Sequence, residues 1–293
     1  AGTNLNGGSL ALGSANAIGS TGNLSFTGGA LQFSAANATD YSARFSNDPG
    51  QAYSLDTNGQ NVALAANLSS VGGTLTKTGA GTLTVSGANT YTGGSNINGG
   101  VLALGSAGAI GNAGSISFGG GALQFSLANA SDYSARFSSA AGQAINLDTN
   151  GQDLVLASDL TSVGGSLTKT GLGTLTLSGA NSYSGGSNIN GGMLALGSAG
   201  AIGNAGTVSF GGGVLQFSLA NASDYSARFS NAAGQAYALD TNGQAVTLAS
   251  GLSSAGGSLR KTGAGTLSLT GNNSFDGGTT VRAGTLSVGA GGA

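Results

Sequence analysis

The feature that most limits how this chain can fold is an internal repeat of 92 residues, which runs through the sequence without insertion or deletion. Leucines recur at this interval, at Leu10, Leu102, Leu194 and Leu286. Tandem copies of this kind bury their apolar surface by stacking on one another. We therefore interpret residues 1–293 as one continuous solenoid, with copies at 8–99, 100–191 and 192–283 and partial copies at 1–7 and 284–293.

Each copy consists of short stretches of alternating apolar and polar residues, separated by glycine-rich turns. Leu31-Gln32-Phe33 is one such stretch, and Asn58-Gly59 is one such turn. An alternation of period two predicts β-strands with one buried face, and glycine permits the turns between them. The segment 35–44 is the exception, and there we expect a bulging loop or a short helix.

The residue types that face inward favour stacked coils over a β-sandwich. Aromatic residues are 6% of the chain, and the alternating stretches supply mostly Leu, Val, Ile and Ala. A sandwich has a core about 10 Å thick to fill, whereas coils stacked about 4.8 Å apart need only a narrow core. The sequence thus predicts an all-β fold, a parallel β-helix (β-solenoid), right-handed by analogy with other parallel strand connections. Four turns of about 23 residues fit one copy, and five shorter turns also fit.

The charge inventory excludes several classes of partner. Charged residues make up 6% of the chain, the formal charge is −2, and His, Cys, Trp and Glu are absent. Eight cations cannot neutralise a run of phosphates, so we expect no nucleic-acid partner. No apolar run reaches eighteen residues, so we expect no membrane span in this sequence. We also expect no cofactor.

Charged residues at positions i and i+4 recur in all three copies. We expect structural ion pairs at these positions, namely Asp40 with Arg44, Asp132 with Arg136, and Asp224 with Arg228. The same residues are alternatively a partner-binding patch on protruding loops. A surface ion pair contributes under about 1 kcal/mol, so the structural interpretation is the simpler one.

The carboxylates give little support to a metal site or to catalysis. Asp56-Thr57-Asn58-Gly59 resembles the start of a calcium loop but lacks the further acidic ligands, so we predict a turn and no metal site. Asp148, Asp153 and Asp159 form the one dense acidic group, and paired carboxylates are what polysaccharide-cleaving enzymes use. Catalytic residues are expected in irregular loops, whereas the three copies have equal length. We therefore predict no catalytic residue and keep a polysaccharide-processing β-helix enzyme as an alternative.

Thr-X-Thr stretches such as Thr74-Leu75-Thr76 leave a second alternative open. A flat outward grid of threonine hydroxyls is typical of ice-binding solenoids, but Thr also simply favours exposed strand faces. Other coils carry Leu10-Ala11-Leu12 or Leu31-Gln32-Phe33 in place of threonine. Ice binding is therefore a minor hypothesis.

The segment from Lys77 to Gly94, which returns at Lys169 to Gly186 and Lys261 to Gly278, resembles a known motif. It is similar to the autotransporter-associated β-strand repeat, also called the passenger-associated transport repeat. The resemblance implies a secreted Gram-negative passenger with a right-handed β-helix, found in long surface proteins that act as stalks, adhesins or matrix. It does not imply an active site.

These observations together predict a non-catalytic extracellular structural protein on the surface of a Gram-negative bacterium. The rod is expected to form a stalk, an adhesin passenger or a filament. We expect its partners to be neighbouring repeats of the same long chain or other copies joined end to end, together with a cell-surface or matrix ligand. Unpaired strand edges at a solenoid end are the physical basis for end-to-end association.

Overall fold

The structure, a computed structural model, describes residues 2–289. The chain is all-β, and its parallel strands stack as a β-solenoid of about 14 turns. The fold class predicted from the sequence is therefore confirmed. Contacts divide the chain into two units. Unit 1 comprises Ala1–Ser131, Arg136–Ser138 and Gln143–Asp148, and unit 2 comprises Asp132–Ala135, Ser139–Gly142 and Thr149–Ala293.

The strands of unit 1 are three to five residues long, as expected for coils with glycine corners. Those in the described residues are β1 (Thr3–Leu5), β2 (Ser9–Ala11), β3 (Leu24–Phe26), β4 (Ala30–Gln32), β5 (Ala52–Asp56), β6 (Val62–Leu64), β7 (Thr74–Thr78), β8 (Thr82–Val85), β9 (Ser95–Ile97), β10 (Val101–Leu104), β11 (Ile116–Phe118), β12 (Ala122–Gln124) and β13 (Ala144–Asp148).

Unit 2 repeats this pattern. Its strands in the described residues are β14 (Leu154–Leu156), β15 (Ser166–Thr170), β16 (Thr174–Leu177), β17 (Ser187–Ile189), β18 (Met193–Leu196), β19 (Val208–Phe210), β20 (Val214–Gln216), β21 (Ala236–Asp240), β22 (Ala245–Leu248), β23 (Ser258–Thr262), β24 (Thr266–Leu269), β25 (Thr279–Val281) and β26 (Thr285–Val288). One short 3₁₀ helix occurs in each copy, at Ser42–Arg44, Ser134–Arg136 and Ser226–Arg228.

The register of unit 1 shows how many turns one copy contains. Parallel pairing links five successive turns through Leu10, Leu31, Leu55, Lys77, Ile97 and Phe118. These five turns take 108 residues, from Leu10 to Phe118, so a copy of 92 residues contains slightly more than four turns. Both predictions, four turns of 23 residues and five shorter turns, assumed a whole number of turns in each copy. The register shows that the number of turns per copy is not whole.

A consequence of this mismatch is that equivalent strands of successive copies lie in different sheets. In unit 1, β2 pairs with β4, whereas its equivalent β10 pairs with β8 and β12 in another sheet. In unit 2, β18 pairs with β16 and β20, whereas its equivalent β26 pairs with β24 in a separate sheet. The lengths of the turns between strands, and not the length of the copy, set the number of residues in a coil.

The core is a set of stacked inward-facing columns. Leu31, Leu55 and Ile97 are fully buried along one of them. The few aromatic residues are concentrated inside as well: in unit 1 the Phe26 ring packs edge-on against Phe45 at 4.8 Å and Tyr53 at 5.6 Å between centroids. The aliphatic interior expected from composition therefore also contains aromatic clusters.

Candidate functional site

The structural centre of each copy is a turn that follows a buried lysine, which we call the lysine turn. It comprises residues 77–81, and its equivalents are 169–173 and 261–265. Lys77 is the fourth residue of β7, whose burial alternates so that Leu75 and Lys77 face the core. Register places Lys77 between Leu55 of the preceding turn and Ile97 of the following one. A charged residue thus occupies a place in an apolar column, and its side chain is 0% exposed.

The ammonium group of this lysine is fully used by backbone carbonyls. Lys77 Nζ donates to the carbonyl oxygens of Thr78 at 2.8 Å, Gly79 at 2.7 Å and Gly99 at 3.0 Å. Three donors therefore meet three acceptors. Gly99 lies at the corner of the next turn, so the lysine joins two successive turns of the solenoid.

The other two copies reproduce this arrangement. Lys169 Nζ donates to Thr170 O at 2.7 Å, Gly171 O at 2.8 Å and Gly191 O at 3.1 Å. Lys261 Nζ donates to Thr262 O at 2.7 Å, Gly263 O at 2.7 Å and Ala283 O at 3.0 Å. Ala in place of Gly at position 283 leaves the contact intact because the acceptor is a main-chain oxygen. Lys169 and Lys261 are also 0% exposed.

Burial shifts the ionisation of these lysines. It lowers the pKa of Lys77 from 10.5 to about 8, while the nearby Asp56 carboxylate acts in the opposite direction. Burial likewise lowers the pKa of Lys261, opposed by Asp240. Burial raises the pKa of Tyr53 to about 12, and it also raises the pKa of Tyr237. The lysines and the tyrosines therefore act on stability in different pH ranges.

We expect the free energy of unfolding to rise between about pH 8 and pH 10 and to fall between about pH 10 and pH 12. In the lower range the unfolded chain retains lysine protons that the folded chain has released, so a higher pH favours the folded state. In the upper range unfolded tyrosines ionise near their ordinary pKa of about 10 while buried ones stay protonated, so a higher pH favours unfolding. Urea unfolding followed by circular dichroism from pH 7 to pH 11.5 checks this. A free energy that falls steadily from pH 8 upward would contradict the lysine contribution.

The segment Asp56-Thr57-Asn58-Gly59 is a turn. Asp56 Oδ1 accepts a hydrogen bond from Asn58 N at 2.9 Å, and Oδ2 accepts one from Gln32 Nε2 at 2.7 Å. Asn58 has φ +46°, the left-handed conformation that Asn tolerates better than most residues. Both carboxylate oxygens thus stabilise the corner. Within residues 2–289, no group of three or more acidic, His or Cys residues is placed to hold a metal ion.

Asp40 and Arg44, which we expected to form an ion pair, both make hydrogen bonds with the backbone of other turns. Asp40 accepts hydrogen bonds from Ser42 N at 2.8 Å and from Ala65 N at 2.8 Å, on the following turn. Arg44 donates to Gly22 O at 2.8 Å, as well as to other carbonyl oxygens of the preceding turn. The two charges therefore point to different neighbours, and together they clamp the 3₁₀ segment between two turns.

The equivalent residues of the other copies bind backbone groups in the same way. Asp132 accepts hydrogen bonds from Ser134 N and Ala157 N, and Asp224 accepts them from Ser226 N and Ala249 N, all at 2.8 to 2.9 Å. Arg136 donates to Ala113 O and Gly114 O, and Arg228 donates to Gly203 O, Ala205 O and Gly206 O, all at 2.6 to 2.9 Å.

The two acidic residues that occur only in the second copy also have backbone partners. Asp153 Oδ1 accepts from Thr174 N, and Asp159 Oδ1 accepts from Ala180 N, both at 2.7 Å. In the first copy Asn61 and Asn67 accept the equivalent bonds, from Thr82 N and Ala88 N. Each aspartate thus does what an asparagine does elsewhere in the chain. Asp148, the third member of the predicted group, accepts from Gln124 Nε2 at 2.8 Å.

The outward residues do not form a threonine grid around Thr76. Its register neighbours are Ser54 on the turn before and Asn96 on the turn after. Asn96 Nδ2 donates to Thr76 Oγ1 at 3.2 Å, and Ser117 Oγ donates to Asn96 Oδ1 at 2.6 Å. This surface is a mixed polar ladder whose hydroxyl and amide groups bond to one another.

Comparison with protein families assigns the segments that contain the lysine turns. The family model for the passenger-associated-transport repeat matches residues 75–104, 167–196 and 259–288. The chain carries three passenger-associated-transport repeats. Searches of curated proteins and of solved structures gave no significant match. The repeats and the β-solenoid fit an autotransporter passenger-type structural domain, which implies secretion or surface display. Among the described residues, no helix has the length and apolar character needed to cross a bilayer.

Each matched passenger-associated-transport repeat contains the whole lysine site. The first match, residues 75–104, begins two residues before Lys77 and includes Gly99, whose carbonyl oxygen Lys77 binds. Sequence reasoning quoted this lysine but missed its burial. The sequence does indicate this burial, because Lys77 lies two residues after the apolar Leu75 on one strand and so faces the same side. The Asp40 and Arg44 clamp lies outside the matched residues.

Proposed function

We propose that this chain is a non-catalytic structural segment of a surface-displayed autotransporter passenger, in which the copies act as a stalk. The observation that carries the proposal is that the ladder continues through the boundaries between copies. At the first boundary, between residues 99 and 100, β10 of the second copy pairs with β8 of the first copy, and β11 of the second copy pairs with β9 of the first. Copies joined in this way extend one stack without a linker.

The third boundary supports the same interpretation. There, between residues 283 and 284, β26 pairs with β24 of the preceding copy. The contacts across a boundary are therefore of the same kind as those within a copy. A repeat protein of this kind gains length by adding copies, since each contacts mainly its neighbours.

The acidic residues give no support to a polysaccharide-cleaving role. Asp153 and Asp159 are engaged by backbone N–H groups, and asparagines replace them in the first copy. A general acid or base needs a carboxyl group that is free to exchange a proton with substrate. Adhesin, filament and matrix component are more specific roles within the same structural function.

Insertion of one additional copy, residues 100–191 placed after position 191, tests the stalk proposal. We expect the inserted residues to fold as further coils, because the boundary contacts repeat at every copy junction. At about 4.8 Å per turn and slightly more than four turns per copy, the maximum dimension in small-angle X-ray scattering grows by about 20 Å. The β-signal in circular dichroism increases in proportion to the added length.

A 92-residue glycine and serine insert at the same position is the control, and it should add no β-signal. If the extra copy behaves like this flexible insert, copies do not stack on one another autonomously and the stalk proposal is wrong. Negative-stain microscopy of the unmodified protein separates the finer roles: isolated short particles support a stalk, whereas micrometre fibres contradict it and favour a filament.

A further inference from the structure

Two arginines depart from the repeat, and both belong to the third copy. Six of the eight cations occupy equivalent places in every copy and bind backbone carbonyls. They are the lysines of the three lysine turns and the arginines of the three clamps. The remaining two, Arg260 and Arg282, replace Thr168 and Asn190 of the second copy. In the part of the chain that the structure describes, neither of these guanidinium groups has a hydrogen-bond or ion-pair partner.

Register places the two arginines on neighbouring turns of unit 2. Arg260 faces outward on β23, where its neighbours are Ala238 on the preceding turn and Thr280 on the following one. Arg282 directly follows β25 and is exposed, and its backbone N donates to Lys261 O at 2.9 Å. Diagonal neighbours on adjacent strands lie within about 8 Å, which is within reach of two long side chains.

Arg260 lines a surface groove of about 400 Å³. Most of the residues that line it are small: Ala236, Ala238, Gly277 and Gly278 contribute little beyond backbone, and Ser258, Thr279 and Thr280 carry hydroxyl groups. This volume lies at the lower end of the range for small-molecule sites. The groove thus offers a guanidinium group and hydroxyl groups to a ligand.

The third copy differs from the others in the residues that fill this face. In the first copy, Thr76 and Asn96 stand at the places of Arg260 and Thr280 and bond to each other at 3.2 Å. In the second copy, Thr168 and Asn188 form the same bond at 3.2 Å, and Asn146 stands at the place of Ala238. The third copy has therefore lost a self-satisfied polar ladder and gained an unpartnered cation.

The carboxylates adjacent in sequence to the groove make hydrogen bonds with backbone groups outside it. Asp240, at the end of β21, accepts a hydrogen bond from Asn242 N at 2.8 Å. Asp276, which precedes Gly277, accepts one from Gly256 N. Both carboxylates thus bind backbone groups, and neither lines the groove.

We propose that this groove binds an acidic saccharide, with Arg260 holding a carboxylate of the sugar and Arg282 holding a second anionic group along the chain. Guanidinium binds carboxylate in a bidentate manner, and the Ser258 and Thr280 hydroxyls suit sugar hydroxyl groups. An acidic peptide fits less well, because the exposed lining offers little apolar surface: Leu259 also lines the groove, but it is only 1% exposed. The proposal adds a binding site to the structural role and does not depend on it.

Titration calorimetry with a trigalacturonate probe tests the site in the full chain. R260T and R282N restore the residues that this chain carries in its second copy, so both variants should fold. We expect the intact chain to bind the probe and R260T to bind it at least about 10-fold more weakly, which corresponds to the loss of one charge-assisted contact. N61D changes the net charge by the same single unit far away in sequence, and it copies Asp153, so its affinity should be unchanged.

Neutral maltotriose and hexaglutamate complete the comparison. We expect no binding of maltotriose and weaker binding of hexaglutamate than of trigalacturonate. The proposal is overturned if the intact chain does not bind trigalacturonate, if R260T binds it as tightly as the intact chain, or if hexaglutamate binds more tightly than the saccharide. An equal loss of affinity in R260T and N61D also overturns it, because it shows only a general charge effect.

Discussion

Replacing Lys77 by methionine is expected to lower the free energy of unfolding by about 3 kcal/mol. Methionine keeps the apolar part of the side chain between Leu55 and Ile97, so the column stays packed. Stability is lost because the carbonyl groups that the ammonium group binds no longer have this hydrogen-bond donor. Thr78 O also accepts from Thr57 N at 3.2 Å, whereas Lys77 Nζ is the one donor among residues 2–289 to Gly79 O and to Gly99 O. Both carbonyl groups are partly buried, and leaving a buried acceptor without a donor costs about 1–3 kcal/mol.

Urea unfolding at pH 7, followed by circular dichroism, measures this loss. R282N is a suitable control because it also removes one positive charge. The Arg282 side chain is exposed and makes no hydrogen bond or ion pair with another residue of the range 2–289. We expect R282N to stay within about 0.5 kcal/mol of the unmodified chain. If K77M is equally mild, the lysine turn is not a stabilising element, and methionine packing compensates for the lost hydrogen bonds.

Gly100→Ala is expected to be at least as destabilising as K77M, by about 3 kcal/mol or more. A Cβ atom at this position would lie 2.3 Å from Gly81 O, 2.6 Å from Gly79 O and 2.8 Å from Lys77 Nζ. Two of these atoms are backbone, so they cannot move without displacing the lysine turn. The residue also has φ +59°, which adds about 1 kcal/mol of strain for a side chain.

Gly72→Ala separates these two effects. Gly72 has φ +72°, and a Cβ atom there would meet nothing within 4 Å, so this variant carries the conformational strain alone. The difference between G100A and G72A in urea unfolding therefore measures the close approach to the lysine turn. Equal losses for the two variants would mean that the turn adapts to a Cβ atom, and the requirement for glycine would then be conformational only.

Much of the fold follows from local sequence rules, because a strand repeats its side-chain direction every two residues. The same rule identifies the buried lysine, once Lys77 is placed in phase with Leu75. The number of turns per copy did not follow, since it depends on corner lengths that vary from turn to turn. Registers between paired residues range from 19 residues, for Thr82 with Val101, to 24, for Leu31 with Leu55.

The clamp formed by Asp40 and Arg44 consists of contacts that the local sequence does not predict. A spacing of four residues brings side chains together on an α-helix, but the segment contains only the 3₁₀ turn Ser42–Arg44. Asp40 accepts one local bond, from Ser42 N, but its second partner, Ala65 N, and the carbonyl partners of Arg44 lie more than twenty positions away in sequence, on adjacent turns. Such contacts become visible only when the register of the stack is known.

Because a copy closes slightly more than four turns, duplication of a copy does not align its surface features. A side chain encoded once in each copy reappears on a different flank of the column, as β2 and β10 do in unit 1. Lengthening by duplication therefore distributes chemistry around the circumference. A contact that must face one direction has to break the repeat, and Arg260 and Arg282 are substitutions of that kind.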